Sequence, residues 1–246
     1  MKSMVTWIGM GLLRIISTLP YGILMRLGDS LGLLIHKVSP HRKEISAINI
    51  NRCLKKEGNE LNQFVKSNFQ AFGRGIFETA IAWWASDKKI KSLKTRLING
   101  HLLESQVGGV LVLIKHSTHL ELDLRLLSQF FDLTGMYKSQ TNVVLNYVMI
   151  KARNNYIKAS LTNKEGLKAA KWIKSGKIFL YAADQDYGQN VSEMVPFFGH
   201  DAATVIFPVL LCKRNIKIIF ADVSKVKGAY EIELKELHSS QNRYEF

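Results

Sequence analysis

One short run, Val110–Ile114, constrains the fold of this chain more than any other stretch of its sequence. It is wholly apolar and rich in β-branched residues, which is typical of a strand buried inside an α/β sheet. The next apolar stretch, residues 120–131, is long enough for a helix, and Ser117 or Thr118 is its predicted N-terminal cap. His116 is therefore predicted to lie between a strand and a helix, at the carboxyl end of the strand, where open α/β sheets bind their ligands.

The spacing of His116 and Glu121 indicates a general base with a carboxylate partner. Glu121 falls in the first turn of the predicted helix, from which its carboxylate is expected to lean back toward the imidazole. A carboxylate held against a histidine fixes the imidazole tautomer and stabilises the imidazolium. Such a pair can take a proton from a hydroxyl.

The same block is compatible with two other interpretations. His119 and Asp123 lie four residues apart and could pair on one face of the helix. Together with His116 they could instead bind a metal, because imidazole and carboxylate are ordinary zinc ligands. A histidine on a helix also often has no chemical role, so the spacing alone leaves a base, a metal site and no chemistry open.

The composition of the chain points to an anionic partner. Its 246 residues suffice for one well-buried domain with a small appendage, and 47% of them are hydrophobic. The formal net charge of +14 favours nucleic acid, an acidic protein or a phospholipid surface as the partner. Cys53 and Cys212 lie far apart without metal-type spacing, which indicates a reducing, cytoplasmic setting with neither a disulfide scaffold nor a thiol catalyst.

We expect residues 1–36 to form a membrane-associated helical segment, followed by an α/β domain over residues 37–246. The segment holds two apolar runs, 4–13 and 22–35, but Arg14 ends the first and two charged residues interrupt the second. Neither run reaches the ~18 uncharged residues of a transmembrane helix. Helices that lie in the membrane interface fit better, and two helices buried in a soluble core are the alternative.

The residues around these runs suit an interfacial position on the cytoplasmic side. Trp7 is expected near the interface, and Arg14 is expected to extend toward lipid phosphate. The basic residues His41, Arg42 and Lys43 follow the segment and would hold this side on the cytoplasmic face.

Apolar periodicity along the rest of the chain predicts strands that alternate with helices. This alternation predicts an α/β fold with a central, mainly parallel or mixed sheet flanked by helices. The predicted helices cover residues 60–86, 142–155, 165–174 and, despite Pro208, 202–212. The predicted strands cover residues 133–137, 177–183, 216–223 and 229–234, the last two joined by a turn at 227–228.

Two basic stretches raise the question of nucleic acid. Residues 151–177 include Tyr156 and Trp172, an interleaving of basic and aromatic residues that can bind single strands. No DNA- or RNA-binding signature accompanies them, so nucleic acid is not an expected partner. The second stretch, residues 87–96, has the pattern of a solvated surface.

Eight blocks along the chain are more informative together than alone. They are Leu19-Pro20-Tyr21 with Arg26-Leu27-Gly28, residues 69–78, Ala82-Trp83-Trp84, His116 with Glu121, Gly135-Met136-Tyr137-Lys138, Asp184-Gln185-Asp186-Tyr187-Gly188, Val195-Pro196-Phe197-Phe198-Gly199 and Ala202-Ala203-Thr204. Together they resemble the late acyltransferases of lipid A biosynthesis, the lauroyl- and myristoyltransferase family of Gram-negative inner membranes. The pair of His116 and Glu121 is shared with many glycerolipid acyltransferases, whereas the blocks at 184–188 and 195–199 are far more specific.

The resemblance implies a reaction and a role for each site residue. A fatty acyl group would pass from a thioester carrier, usually acyl carrier protein, to the hydroxyl of a hydroxyacyl chain on a phosphorylated glucosamine disaccharide. His116 would deprotonate this hydroxyl, and Glu121 would orient the imidazole and stabilise its charge. The functional arginine of the family maps to Arg153, for the developing oxyanion or a phosphate. The functional aspartate maps to Asp184, for positioning Arg153 or substrate.

The resemblance also implies where the positive charge is used. Acyl carrier protein is acidic and the glycolipid acceptor carries phosphates, so both are expected partners at the cytoplasmic face of the inner membrane, beside its anionic surface. Lys138 is the candidate cation for substrate binding, and further candidates are Lys151, Lys158, Lys164 and the stretch 87–96. No cofactor and no metal are implied, since the thioester donor is itself a substrate.

The chain departs from the family pattern at three places. Val143 stands where the family usually has proline, and Lys138 replaces a usual arginine. The resemblance implies that residues 37–246 are an α/β acyltransferase domain. The sequence stops at Phe246, where the family continues into a further helix, so this domain is expected to lack the C-terminal end of the family. The rival functions are transfer to another glycolipid or aminolipid acceptor, and an inactive, truncated membrane-surface member of the family.

Overall fold

The computed structural model describes residues 2–104, 108–186, 188–226 and 228–237, in which ten α-helices and nine strands are found. The helices are α1 (Lys2–Ile16), α2 (Tyr21–Val38), α3 (Pro40–Leu54), α4 (Gly58–Trp84), α5 (Asp87–Ser92), α6 (His101–Glu104), α7 (Leu120–Leu127), α8 (Val143–Arg153), α9 (Gly166–Lys174) and α10 (Phe207–Cys212). The strands are β1 (Thr95–Ile98), β2 (Val110–Ile114), β3 (Leu133–Tyr137), β4 (Ala159–Thr162), β5 (Ile178–Ala182), β6 (Ser192–Phe197), β7 (His200–Val205), β8 (Lys217–Val226) and β9 (Ala229–Leu237).

Seven of the strands form one sheet, in the order β1-β9-β8-β2-β5-β3-β4. All neighbours in it are parallel except β8 and β9, which form an antiparallel hairpin. β2 lies at the centre between β5 and β8, and all five of its residues are buried, as its apolar sequence predicts. The predicted fold class is confirmed: the sheet is mixed and mainly parallel, and helices flank it.

Most of the predicted elements are confirmed, because each has a strong apolar period of its own. The strand predicted at 133–137 has the predicted bounds, and α4, α8, α9, β5, β8 and β9 begin and end within a few residues of the prediction. The helix after His116 is shorter than the apolar stretch 120–131 and ends at Leu127. At the predicted turn, Gly228 has a φ of 80° and Lys227 lies outside the described residues.

The helix predicted over residues 202–212 is wrong. Its first part is strand β7, which pairs with β6 in a two-stranded antiparallel hairpin that places Ala202 beside Val195. Only the second part is helical, and Pro208 lies at the start of α10, where its missing N–H costs no hydrogen bond. Strand pairing therefore overrides the helix-compatible composition of residues 202–205.

Helices α1 and α2 correspond to the two apolar runs at the start of the chain. Among the described residues, no helix combines the length and the apolar character needed to cross a membrane. α2 packs closely on α4: a Cβ added at Gly32 would lie 2.6 Å from the Gln70 Cα, and one added at Gly28 would lie 2.6 Å from the Arg74 Cα. Leu24 of α2 is fully buried in the main core cluster. One face of α2 is thus part of the folded core.

Candidate active site

His116 and Asp184 follow neighbouring parallel strands at the same edge of the sheet. β2 and β5 pair with Ile114 beside Ala182, and each candidate residue comes two positions after its strand ends. The His116 backbone N–H donates a hydrogen bond to Asp184 Oδ2 at 2.8 Å, and its ring Nδ1 bonds to Asp184 Oδ1. The two side chains therefore meet at the carboxyl edge of the sheet, where the sequence predicts a site.

This geometry corrects two expected contacts. Glu121 does not hold the His116 imidazole, because Asp184 occupies Nδ1 instead. Asp184 does not position Arg153, because its two carboxylate oxygens are the ones that bond to His116. Spacing within one segment suggested the first pairing, whereas the register of two strands decides it. A carboxylate accepts only, so Nδ1 carries the proton and the neutral imidazole has its lone pair on Nε2.

Glu121 lies instead in a buried ion pair with Arg153. Arg153 Nε donates to Glu121 Oε2 at 3.2 Å, and its Nη2 donates to Oε1. The side chains of Arg153 and Glu121 are only 13% and 12% exposed. Trp83 Nε1 at 2.9 Å and the Tyr156 hydroxyl at 3.2 Å also donate to Glu121 Oε2. Four donors thus compensate for the burial of this carboxylate.

The electrostatics of this cluster show how strongly its members interact. Burial by itself would lower the pKa of Arg153, but the attraction of Glu121 outweighs it and the pKa is raised. Burial raises the pKa of Tyr156 well above its usual value, and the negative charge of Glu121 raises it further. Arg153 is therefore a permanent cation and Tyr156 a permanent hydrogen-bond donor at neutral pH.

Trp83 and Tyr156 are members of the site that the sequence alone does not reveal. Trp83 belongs to the apolar face of α4 and is buried, as expected of core, but its indole N–H also bonds to Glu121. Tyr156 lies three residues after Arg153, in the stretch considered for nucleic acid. That spacing, one helical turn at the end of α8, is the signal that connects Tyr156 to Arg153.

A second buried network lies beneath the loop that carries His116. Asp123 is 1% exposed, and its carboxylate accepts a 2.6 Å hydrogen bond from the Ser117 hydroxyl and contacts His119 Nδ1 at 2.6 Å. Burial raises the pKa of Asp123, although these hydrogen bonds oppose the shift. The predicted cap is wrong: the Ser117 hydroxyl bonds to Asp123, and α7 begins without a side-chain cap.

The two histidines of the block therefore have separate carboxylate partners. His119 pairs with Asp123 on the same helix face, which is one of the arrangements that the spacing allows. His116 pairs with Asp184 instead of joining them around a metal. Within residues 2–104, 108–186, 188–226 and 228–237, no three His, Cys, Asp or Glu residues are grouped to hold a metal ion.

Lys138 lies exposed directly after β3, at the edge where the parallel strands of the sheet end. Among the residues that the structure describes, no ion pair joins its ammonium group to an acidic side chain. The structure brings it into contact with neither His116 nor Arg153. Tyr187, in the block that begins at Asp184, lies outside the described residues.

Comparisons with known proteins agree on one family. A family model, bacterial lipid A biosynthesis acyltransferase, matches residues 1–234. The chain is 30% identical over 214 residues to the lipid A biosynthesis lauroyltransferase of Escherichia coli K12, which covers 85% of this chain and 70% of that protein. It is 31% identical over 232 residues to a lipid A biosynthesis acyltransferase of Haemophilus influenzae, a match that covers 91% of this chain and 74% of that protein. The lipid A biosynthesis palmitoleoyltransferase of Escherichia coli K12 is 29% identical over 198 residues, a match that covers 78% of this chain and 64% of that protein. The chain therefore belongs to the bacterial lipid A biosynthesis acyltransferase family and is an acyltransferase.

Proposed function

We propose that this protein transfers a fatty acyl group from the thioester of acyl carrier protein to the hydroxyl of a hydroxyacyl chain on a phosphorylated lipid A precursor. The observation that carries the proposal is the pair of His116 and Asp184 at the carboxyl edge of the sheet. It provides a base with a fixed tautomer, which is what activation of a hydroxyl requires.

In the proposed reaction His116 Nε2 takes the proton of the acceptor hydroxyl as the oxygen attacks the thioester carbonyl carbon. A C–O bond forms, and the carbonyl oxygen becomes an oxyanion. When this tetrahedral species collapses, the C–S bond breaks, and the leaving thiolate takes the proton from His116. Asp184 stabilises the imidazolium that exists between the two transfers. No bond to the enzyme forms, so neither a covalent intermediate nor a cofactor is needed.

Arg153 is the proposed electrostatic partner of this reaction. A guanidinium has five N–H donors, and Glu121 engages only those on Nε and Nη2. The remaining donors have no hydrogen-bond partner among the described residues. In this proposal they bind the oxyanion or a phosphate of the acceptor. Glu121 thus has a positioning role in this proposal, since it holds the guanidinium in place from inside the protein. Lys138, at the same edge of the sheet, is a proposed second contact for substrate phosphate.

The proposed location is the cytoplasmic face of the inner membrane. The acceptor is a lipid and the donor is an acidic soluble protein, so a protein with a net charge of +14 at this surface is attracted to both. The exposed apolar residues of α1 support contact with the membrane interface, because large apolar side chains in water mark a surface that binds lipid or protein.

The test is mass spectrometry of lipid A from cells that lack their late acyltransferases, with and without this chain. We expect a mass gain of one fatty acyl group, lost in His116→Ala and kept in His41→Ala, which removes an exposed histidine from α3. An acyl gain that persists in His116→Ala would contradict the base assignment.

The donor and the acceptor need a separate measurement with purified protein. Acyl carrier protein thioester and acyl coenzyme A are offered in turn to the phosphorylated precursor, and transfer is followed by thin-layer chromatography. Transfer from the carrier protein alone is expected. If the precursor stays unmodified while another glycolipid is acylated, the proposed acceptor is wrong and the transferase chemistry stands.

A further inference from the structure

Helices α1 and α8 are joined side by side, although more than 120 residues of chain separate them. The Asn142 amide nitrogen donates a 3.0 Å hydrogen bond to the Thr6 hydroxyl. The same Asn142 caps α8, since its side-chain oxygen accepts hydrogen bonds from two backbone N–H groups of the first turn. One turn along, the rings of Trp7 and Tyr147 meet edge to face, with their centroids 6.0 Å apart.

The two helices present one continuous apolar surface to solvent. Within α1, the exposed apolar residues recur at helical spacing and lie on the side opposite the core. On α8, the exposed residues at positions 143 and 147 lie one turn apart, and Tyr147 lies beside Trp7. We name this surface the α1–α8 face and define it by Met4, Trp7, Ile8, Ile15, Val143 and Tyr147.

The charges at its edge identify the chemistry of the partner. The sequence of α1 contains no aspartate or glutamate, and Arg14 is exposed in its last turn. On α8, the Lys151 ammonium lies 5.7 Å from the centre of the Tyr147 ring, one turn beyond it on the same face. Apolar residues bordered by aromatic rings and cations fit the interface of an anionic bilayer, where rings lie at headgroup depth and cations meet phosphate.

From these contacts we propose that the α1–α8 face is a bilayer-contact surface in which Val143 and Tyr147 of α8 lie in the lipid headgroup region beside α1. The proposal rests on the membrane location given under the proposed function and adds α8 as a second lipid-binding element. α8 continues from Val143 to Arg153, whose guanidinium bonds to Glu121. Ten residues of helix span about 15 Å, so the Arg153–Glu121 pair would lie within that distance of the headgroups. A hydroxyacyl chain could then reach the candidate site while its lipid stays in the membrane.

The proposal is tested with an environment-sensitive fluorophore on a cysteine in place of Val143. The two natural cysteines are first replaced, as Cys53→Ser and Cys212→Ser, and the full chain is mixed with vesicles of phosphatidylethanolamine and phosphatidylglycerol. We expect a blue shift and a gain in emission from Val143→Cys. The matched control is Leu167→Cys, because Leu167 is 84% exposed and Val143 is 81% exposed, and each lies in the first turn of its helix. The control should give no shift.

A charge substitution gives an independent measure of the same contact. Val143→Glu is expected to weaken sedimentation with anionic vesicles about tenfold, since loss of one buried valine side chain corresponds to roughly that factor. Leu167→Glu introduces the same charge and should leave the vesicle affinity unchanged. Equal urea midpoints for the two variants would show that folding does not explain the difference, and Tyr147→Cys provides a second labelling position.

Three outcomes would overturn the proposal. The first is a fluorophore at residue 143 whose emission does not change although the wild-type chain sediments with vesicles. That result would restrict lipid contact to other parts of the protein. The second is a response at 143 that needs no vesicles and grows with protein concentration, which would make the face an interface between two copies. The third is a wild-type chain that does not bind vesicles. The lipid A mass measurement is independent of all three, so failure here is distinguishable from failure of the proposed function.

Discussion

Asp184 holds His116 at two points at once, the backbone N–H and the ring Nδ1. Rotation of the imidazole would therefore break the ring contact while the backbone contact keeps the carboxylate in place. The consequence is a histidine whose tautomer is set by a residue 68 positions away in the sequence. This relationship makes Asp184, rather than Glu121, the carboxylate whose chemistry bears most directly on the candidate base.

We predict that Asp184→Asn strongly reduces turnover with little loss of folding. The amide retains an oxygen for the His116 backbone N–H, but its NH₂ group then faces Nδ1 and favours the tautomer with the proton on Nε2. That tautomer cannot act as a base, so kcat should fall by about 10²–10⁴. The change is measured as initial rates of acyl transfer with the purified enzyme.

The matched control for this substitution is Asp186→Asn, two residues along the same loop. Asp186 accepts a hydrogen bond from the Gly188 backbone N–H and does not contact His116. The kcat of the Asp186→Asn variant should therefore stay close to that of the wild type. Equal losses in the two variants would show that the loop matters as a whole and that Asp184 has no special role.

A second prediction concerns the buried ion pair of Glu121 and Arg153. Glu121→Gln leaves the guanidinium without its counter-charge, and the removal of one partner from a buried pair typically costs about 3–5 kcal/mol in the free energy of unfolding. Activity should fall as well, because Arg153 loses the contact that orients it. Chemical denaturation and the acyl-transfer assay measure the two effects.

The control for Glu121→Gln is a surface pair of the same charges. Lys158 and Asp132 lie 3.4 Å apart with side chains mostly in solvent. Asp132→Asn should therefore cost no more than about 1 kcal/mol. If both variants lose equal stability, the pair at Glu121 is not buried in solution as it is in the structure.

How far the sequence predicts this protein depends on the range of each interaction. β2, β3 and α4 could be predicted because their apolar residues repeat within a few positions, and that period is a local property. The hairpin of β6 and β7 could not, since most of its residues are exposed or only partly buried and its strands are specified by pairing with each other.

The same distinction explains what was found and missed at the site. His116, Glu121, Arg153 and Asp184 could be named from local blocks and a family resemblance. Their pairing could not be deduced, because it depends on strand register and on the approach of α4 and α8 to α7. Trp83, which lies 38 residues from Glu121 in sequence, enters the site only through that approach.

A third prediction concerns the pH dependence of stability at Asp123. Its pKa is raised by burial above the value of 3.8, so the folded state holds the proton more tightly than the unfolded state. The contribution of Asp123 to the free energy of unfolding is therefore fully present below pH ~4. It declines as pH rises through the pKa that Asp123 has in the folded state. We expect Asp123→Asn, which cannot ionise, to lack this decline.

The measurement for Asp123 is the urea midpoint between pH 4 and 7 for wild type and variant. Asp123→Asn should cost about 1 kcal/mol at the acid end, where one hydrogen bond to Ser117 or His119 is weakened. The difference from wild type should shrink as pH rises. Ser117→Ala removes a hydrogen bond without removing the titrating group, so its difference from wild type should vary less. Parallel curves for Asp123→Asn and wild type would contradict the raised pKa.

The last prediction separates two glycines of the same helix. Gly32 of α2 crosses α4 so closely that a Cβ there would meet the Phe69 carbonyl oxygen and lie 2.6 Å from the Gln70 Cα, both backbone atoms that cannot move aside easily. Gly32→Ala should therefore lower the free energy of unfolding by about 1–3 kcal/mol through overpacking. Gly22, near the start of α2, has open space around its Cβ position, so Gly22→Ala should raise it by about 0.5–1 kcal/mol through helix propensity. Thermal unfolding followed by circular dichroism compares the two, and an equal response would mean that α2 does not pack on α4 in this way.

The same two variants should also differ in vesicle binding, because α2 follows α1 in the chain. A loosened α2 should weaken the binding of vesicles by Gly32→Ala and not by Gly22→Ala.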